Sequence, residues 1–112
     1  MTLPRPRRRW HVGPVTSTTV ESTSLEVVAA AFAALGDPVR LRILAELAKG
    51  ERCVCKLLER VPVAPNLLSY HLRVLREAGL ILASRRGRWI DYRVAAPALA
   101  RLRAAIPARD GL

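Results

Sequence analysis

The sequence predicts a mainly helical domain with one β-hairpin placed between its fourth and fifth helices. Apolar residues recur at helical spacing over most of residues 25–79, and alternation with a period of two replaces that spacing over residues 80–94. A helical pattern returns after Pro97, with Leu99, Leu102 and Ile106 on one face. With 112 residues and a hydrophobic content of 51%, the chain is long enough for one such domain with its own core.

The ends of the first two helices are marked by capping residues. Thr23-Ser24-Leu25-Glu26 has the capping-box pattern, and the apolar run that follows reaches Leu35 before Gly36 ends it. Asp37-Pro38 then supplies an N-cap and a first-turn proline for the second helix, which is expected to end at Lys49-Gly50. The apolar stripe of that second helix consists of Leu41, Ile43, Leu44 and Leu47.

Two more helices follow in close succession, a short one over about 54–60 and a longer one that starts at Pro65 and stops at Gly79. The longer helix places its leucines at i, i+4 and i+7, facing the core: Leu68, Leu72 and Leu75. Its opposite face is polar and consists of Asn66, Ser69, Tyr70 and Arg73. A short helix, a turn and a longer helix with a polar face predict a helix-turn-helix, whose second helix reads base edges in the DNA major groove.

The predicted hairpin follows the helix-turn-helix and has a basic tip. Its second strand is indicated by the alternation of Ile90, Tyr92 and Val94 with Trp89, Asp91 and Arg93. Three arginines lie at the tip and are expected to contact the DNA backbone or the adjacent minor groove: Arg85, Arg86 and Arg88. A helix-turn-helix followed by a basic hairpin is the winged-helix arrangement, so the fold class is a winged helix-turn-helix.

The charge of the chain favours nucleic acid as its partner. The formal net charge is +10, and fifteen basic side chains remain against eight acidic ones when residues 1–22 are left out. A basic folded domain points to double-stranded DNA first and to anionic membrane surfaces second. The longest apolar stretch, Val27–Leu35, is shorter than the roughly 20 residues that a bilayer requires, so no membrane protein is expected.

Three regions are predicted along the chain. Residues 1–22 form a basic arm rich in arginine and proline, which we expect to be flexible or loosely attached; no apolar segment of secretory type follows Arg9. Residues 23–106 form the winged-helix domain, and residues 107–112 form a short tail. These features predict a cytoplasmic protein.

Two segments resemble the ArsR/SmtB metalloregulatory repressors: Ala34-Leu-Gly-Asp-Pro-Val-Arg-Leu-Arg-Ile-Leu44 and Leu68-Ser-Tyr-His-Leu-Arg-Val-Leu-Arg-Glu-Ala-Gly-Leu80. Gly87-Arg88-Trp89 with Tyr92 is similar to the wing of that family. The resemblance covers about residues 25–106. It implies a homodimer formed through the first and last helices, and an operator with two half-sites. It also adds His71, with Ser69, to the expected recognition-helix contacts.

Cys53 and Cys55 are the only cysteines in the chain. Cysteines separated by one residue make a poor structural disulfide, so free thiols or metal ligands are expected. Thiolates select soft ions such as As(III), Sb(III), Cd(II), Pb(II), Zn(II) and Cu(I). Residues i and i+2 of a regular helix lie about 200° apart, so binding one ion is expected to require a loosened first turn, which would weaken DNA binding.

The segment Glu51-Arg52-Cys53-Val54-Cys55-Lys56-Leu57 resembles the Cys-Val-Cys element of arsenic- and cadmium/lead-sensing members. Some arsenic sensors have a third cysteine where this chain has Leu58, and cadmium and lead sensors add cysteines from an arm in which this chain offers only His11. Sensors of zinc, nickel or cobalt use acidic and histidine side chains of the last helix, and residues 97–106 contain none. The resemblance therefore favours As(III) or Sb(III) over Cd(II), Pb(II) or Zn(II).

The same residues bear on three other function classes. An enzyme is not expected, because His11 and His71 are the only histidines and the chain contains no phosphate-binding glycine loop. A thiol-redox sensor would use the same two cysteines without an ion. An architectural DNA-binding protein would leave both cysteines unused.

Overall fold

The computed structural model describes residues 8–11 and 24–108, and within them the predicted succession of helices, hairpin and closing helix is confirmed. The mainly helical winged helix-turn-helix is thus the observed fold. Its elements are α1 (Leu25–Leu35), α2 (Pro38–Leu47), β1 (Arg52–Cys53), α3 (Val54–Arg60), α4 (Pro65–Glu77), β2 (Ile81–Arg86), β3 (Trp89–Val94) and α5 (Ala96–Ala105). The two-residue strand β1 is the element that the sequence pattern did not predict.

Side-chain caps start the first two helices. The hydroxyl of Ser24 accepts a hydrogen bond from the Val27 amide at 3.2 Å, so Ser24 is the N-cap of α1. Thr23, the first residue of the predicted capping box, lies outside the described residues. The carboxylate of Asp37 accepts from the amides of Val39 and Arg40 at 2.8 and 3.2 Å, with Pro38 at the first helical position as predicted.

The core lies where the helices meet the inner face of the sheet. The predicted inward residues of α4 are all buried, with Leu68 and Leu75 fully enclosed. Leu41 and Ile106 depart from the predicted stripes, because their side chains are 52% and 61% exposed in the single chain. Two residues of α1, Leu25 and Val27, are also exposed, so apolar side chains of α1, of α2 and of the segment after α5 are uncovered in the single chain.

The three strands form an antiparallel sheet in the order β1-β3-β2. Arg86 pairs with Trp89 across a two-residue turn, and Gly87 adopts a φ of +63° there, which glycine tolerates without steric cost. One face of the sheet packs on the core. Cross-strand pairing places Cys53 opposite Asp91, and Asp91 opposite Ser84, on the other face, which we call the outer face.

Residues 8–11, which we call the strap, pack on the sheet between its outer face and the free edge of β2. His11 exchanges two backbone hydrogen bonds with Ala83 at that edge, at 2.8 and 3.1 Å. The guanidinium groups of Arg8 and Arg93 both lie over the Trp10 ring, 4.6 and 4.4 Å from its centroid. Within the predicted arm, residues 8–11 therefore make specific contacts with the sheet. The rest of the predicted arm lies outside the described residues.

Among the helices of the described ranges, none has both the length and the apolar character needed to cross a membrane.

Candidate DNA interface and cysteine pair

The polar face of α4 is exposed over four residues, as predicted. Asn66, Ser69, Tyr70 and Arg73 lie three or four positions apart, so they share one side of the helix opposite its buried leucines. The Arg73 guanidinium lies 5.8 Å from the centre of the Tyr70 ring, a cation–π contact between neighbouring turns. This side presents amide, hydroxyl and guanidinium donors, the groups that hydrogen-bond base edges in a major groove.

His71 does not belong to this exposed side, and its predicted role as a DNA contact is corrected. Its side chain is 5% exposed, because position 71 falls on the buried arc of α4 beside Leu72. Arg40 places its Nη1 3.2 Å from His71 Nδ1, and since arginine can only donate, Nδ1 must accept. The same arginine donates through Nε to the Ala34 carbonyl at 2.6 Å. His71 therefore helps to fix α4 against α1 and α2.

The three arginines of the hairpin tip are all exposed but are not equivalent. Arg85 and Arg88 form no ion pair with any described residue. Arg86 turns back along the outer face and donates through Nε to Asp91 at 2.9 Å. All three arginines stay predicted DNA contacts, and Arg86 differs from the other two because a carboxylate holds its guanidinium.

Asp91 is a buried carboxylate at the centre of an ion network that the sequence pattern did not reveal. It is 5% exposed although its position in β3 points away from the core, because Arg86 and the strap residue Arg8 cover it. Arg8 donates to Asp91 and to Glu51 at 2.6 Å each, so it links the strap to the residues that precede β1. The hydrogen bond from Arg86, followed by the charges of Arg86 and Arg8, holds the pKa of Asp91 below its ordinary value despite burial.

The cysteine pair, Cys53 and Cys55, lies where β1 meets α3. Cys53 is the N-cap of α3, with an extended backbone at φ −76° and ψ 161°, and its sulfur accepts from the Lys56 amide at 3.3 Å. Cys55 is the second residue of the helix, and the two sulfurs are joined in a disulfide. The expectation of free thiols is not met in this structure. The expected loosening of α3 is also unnecessary, because Cys53 precedes the helix and its sulfur already turns towards Cys55.

The described residues do not complete a metal site around the pair. No group of three or more histidine, cysteine, aspartate or glutamate side chains within residues 8–11 and 24–108 is arranged to hold an ion. His11, weighed as a further ligand, is held in the strap by its backbone bonds to Ala83. Cys53 is half-buried and Cys55 is exposed, so an additional donor would have free access to the pair.

Comparison with known proteins identifies the family. Residues 37–82, from the N-cap of α2 into β2, match the family described as bacterial regulatory protein, arsR family. An ArsR-like transcriptional regulator from Rhodococcus sp. RHA1 has a solved structure that superposes with a TM-score of 0.68 at 31% identity, covering 74% of this chain and 78% of that one. The chain belongs to the ArsR family.

Two further matches place this ArsR-family protein among its relatives. The solution structure of a homodimeric winged helix-turn-helix domain from Mycobacterium bovis, described as a possible ArsR-family transcriptional regulator, gives a TM-score of 0.66 at 33% identity, covering 81% and 84% of the two chains. The arsenical resistance operon repressor of Bacillus subtilis is 45% identical over 62 residues. This match covers 54% of this chain and 59% of the repressor, so the chain spans less than two thirds of that relative.

The family match covers part of this ArsR-family protein. The matched residues include the helix-turn-helix and the cysteine pair, whereas the strap and β3 lie outside the match. The ion network around Asp91 therefore joins a family element, β1, to two segments beyond the matched range.

Proposed function

We propose that this ArsR-family protein is a cytoplasmic, homodimeric repressor that binds operator DNA and is released when a thiophilic ion binds the cysteine pair. One observation carries the DNA-binding part: α4 presents four exposed polar residues, while the wing presents two arginines without ion-pair partners among the described residues. In this proposal α4 lies in the major groove, where Asn66 and Arg73 read base edges. Arg85 and Arg88 contact phosphates.

A homodimer is supported by the uncovered apolar side chains. Leu25 and Val27 lie in α1, Leu41 lies in α2 and Ile106 follows α5, and α1 packs beside both α2 and α5. Large apolar side chains exposed on neighbouring elements favour an interaction site. A two-fold dimer through α1 and α5 would present two copies of α4 to two half-sites of an operator. The homodimeric relative from Mycobacterium bovis supports the same assembly.

The proposed inducer is As(III) or Sb(III), with Cd(II), Pb(II) or Zn(II) less favoured. The two sulfurs already lie on the same side of the chain, so both can reach one soft ion once they are reduced. Trivalent arsenic binds three donors, and the third must come from outside the described side chains. The name of the Bacillus subtilis relative supports a metalloid-resistance operon as the regulated target.

Two contacts of Cys53 could transmit ion binding to the DNA interface. Its sulfur caps α3 by accepting from the Lys56 amide, so an ion that takes this sulfur removes the cap. Losing a cap destabilises a helix by about 1 kcal/mol, and α3 supports α4 within the helix-turn-helix. Cys53 also lies opposite Asp91, which holds Arg86 of the wing. Release requires only that the ion binds the DNA-free state more tightly, typically by 1–3 kcal/mol.

The experiment is fluorescence anisotropy of a labelled duplex from the protein's own upstream region, with anaerobic, fully reduced protein. The complex is titrated with arsenite, antimonite, Cd(II), Pb(II) and Zn(II) in turn. We expect arsenite or antimonite to release the duplex from the wild type and not from the Cys53→Ser/Cys55→Ser variant. If the duplex stays bound with every ion, the proposed release by a thiophilic ion is wrong, whereas the proposed DNA binding is still supported.

A thiol-redox sensor is the second candidate, and the bond between Cys53 and Cys55 favours it. In that case oxidation of the two thiols to the disulfide, with a peroxide or a disulfide compound as the electron acceptor, replaces ion binding as the signal. The same anisotropy assay separates the two candidates. Release by a thiol oxidant, reversed by reductant and absent from the double serine variant, supports redox sensing. Equal DNA affinity of the reduced and disulfide forms would rule out redox sensing by this pair.

A further inference from the structure

A charged cleft of about 740 Å³ opens beside the cysteine pair, between the end of α2, the start of α3 and the outer face of the sheet. Cys53 lines this cleft, and Cys55 does not. The carboxylates in its wall are those of Glu46, Glu51 and Asp91. They are outnumbered by six basic side chains, which are Arg8, Lys49, Arg52, Lys56, Arg60 and Arg86.

Ion pairs within the wall of the cleft do not neutralise its positive charge. Lys49 is paired with Glu46 at 3.0 Å, and the remaining two carboxylates are held by Arg8 and Arg86. Arg52 and Arg60 form no ion pair with any residue that the structure describes. Positive charge without a partner therefore remains next to the sulfur of Cys53.

We propose that this cleft binds a low-molecular-weight thiol that carries carboxylates and delivers its sulfur to Cys53. Arginine binds carboxylates in a forked geometry. Neither Arg52 nor Arg60 is paired with a described carboxylate, although Arg52 donates through Nη1 to the Glu51 carbonyl at 2.9 Å. The volume falls in the range of about 300–1,000 Å³ typical of sites for small organic molecules, and it exceeds the needs of a single ion. This inference rests on the proposed sensing role of the cysteine pair. It adds the class of compound that reduces the disulfide of that pair.

The reaction is thiol–disulfide exchange. The thiolate of the bound compound attacks the sulfur of Cys53, the bond between Cys53 and Cys55 breaks, and its electron pair leaves on Cys55, which is exposed to solvent. A second molecule of thiol then attacks the sulfur of the first in the mixed disulfide. Both cysteines end reduced, each takes up a proton, and the two thiol molecules leave as one oxidised disulfide.

DNA phosphate is the competing occupant of a basic cleft, and the lining argues against it. Of the described residues that form the wall, none belongs to α4, the helix proposed to enter the major groove. Three carboxylates in the same wall would repel a phosphate backbone, whereas a small zwitterion with an ammonium group can use both signs of charge.

The test measures how fast different thiols reduce the disulfide form of the full chain. Glutathione carries carboxylates, 2-mercaptoethanol is neutral and cysteamine is cationic. Each rate is expressed per thiolate and divided by the rate of that thiol with an uncharged small disulfide, which removes differences in intrinsic reactivity. We expect glutathione to be favoured about tenfold over 2-mercaptoethanol at low salt, with cysteamine slowest. The preference should shrink as salt is added.

The deciding variant is Arg52→Gln/Arg60→Gln, compared with Arg42→Gln/Arg101→Gln, which removes the same charge from exposed positions outside the cleft. The cleft variant should reduce the preference to about twofold or less, and the control variant should retain it. No preference in the wild type, or equal preference in the two variants, overturns the proposal. A cleft variant that loses DNA affinity but keeps the thiol preference assigns the cleft to phosphates and also overturns it. The exchange assay contains no DNA, so its failure is distinguishable from failure of the repressor.

Discussion

Cys53 lies directly opposite Asp91 in the β1–β3 pair, so a sulfur of the cysteine pair and the carboxylate that anchors the wing share one face of the sheet. Through Arg86 and Arg8, Asp91 also connects the hairpin tip with the strap. Cys53 therefore lies next to the residue that connects the hairpin tip, which is part of the proposed DNA surface, with the strap.

Replacing Asp91 with asparagine should weaken the fold. The amide keeps the size of the carboxylate but leaves Arg86 without a charged partner and Arg8 with Glu51 alone, so we expect a loss of about 1–3 kcal/mol in the free energy of unfolding. Urea denaturation followed by circular dichroism measures it. The matched control is Glu59→Gln, which removes an exposed i,i+3 pair with Lys56 and should change stability by less than about 0.5 kcal/mol. Equal effects of the two changes would contradict a special role for Asp91.

Acid should detach the strap. Because the pKa of Asp91 is lowered in the folded protein, its stabilising contribution is present above the ordinary carboxyl pKa and is lost as the pH falls through the lower folded value. In a Trp89→Phe background, Trp10 is the remaining tryptophan and reports its contacts with Arg8 and Arg93 by fluorescence. We expect a transition below about pH 4 that is absent when Asp91→Asn is added. An acid transition of the same size in both proteins would argue against this assignment.

The exposed arginines should separate base reading from phosphate binding. Arg73→Ala is expected to cost about 1–3 kcal/mol of affinity for the cognate duplex and little for random DNA, because its donors reach base edges. Arg85→Ala and Arg88→Ala should each lower the slope of log affinity against log salt by about 1 on either duplex. Arg86→Ala should change that slope less, since Asp91 already holds its charge. Anisotropy titrations at several salt concentrations measure all four. Equal losses on cognate and random DNA for Arg73→Ala would remove its base-reading role.

His71 should matter for stability and not for base recognition. His71→Ala removes the acceptor for Arg40 and leaves a cavity, so the free energy of unfolding should fall by about 2–4 kcal/mol. His71→Asn keeps an acceptor near the position of Nδ1 and should recover part of this loss while binding cognate DNA as the wild type does. Urea denaturation and anisotropy on the same preparations provide the comparison. A His71→Asn protein with normal stability that no longer distinguishes cognate from random DNA would show that His71 contacts the bases.

The sequence could predict those features of the fold that depend on residues close together in the chain. The caps at Ser24 and Asp37, the buried leucines of α4 and the glycine turn of the wing all act within one element, so local patterns reveal them. The docking of Arg8 depends on partners 43 and 83 residues away, which no local pattern encodes.

The remaining differences also arise from tertiary contacts. The alternation in β3 placed Asp91 correctly on the outer face but could not show that two arginines would cover it. His71 matched a family position, yet the helical spacing puts its ring on the buried arc of α4. The helical separation expected between Cys53 and Cys55 does not apply, because Cys53 has an extended backbone before α3 and the two sulfurs are brought together.

In the proposed mechanism the cysteine pair acts on the DNA-binding surface through β1 and β3. It is tested by the ratio of the DNA dissociation constants with and without saturating arsenite, for reduced wild type, Asp91→Asn and the control Glu59→Gln, with arsenite binding to each protein verified by mass spectrometry. We expect a ratio of about 5–150 for the wild type and the control. For Asp91→Asn we expect a ratio reduced several-fold although arsenite is bound. An Asp91→Asn protein that binds arsenite and keeps the full wild-type ratio would show that the signal does not pass through Asp91.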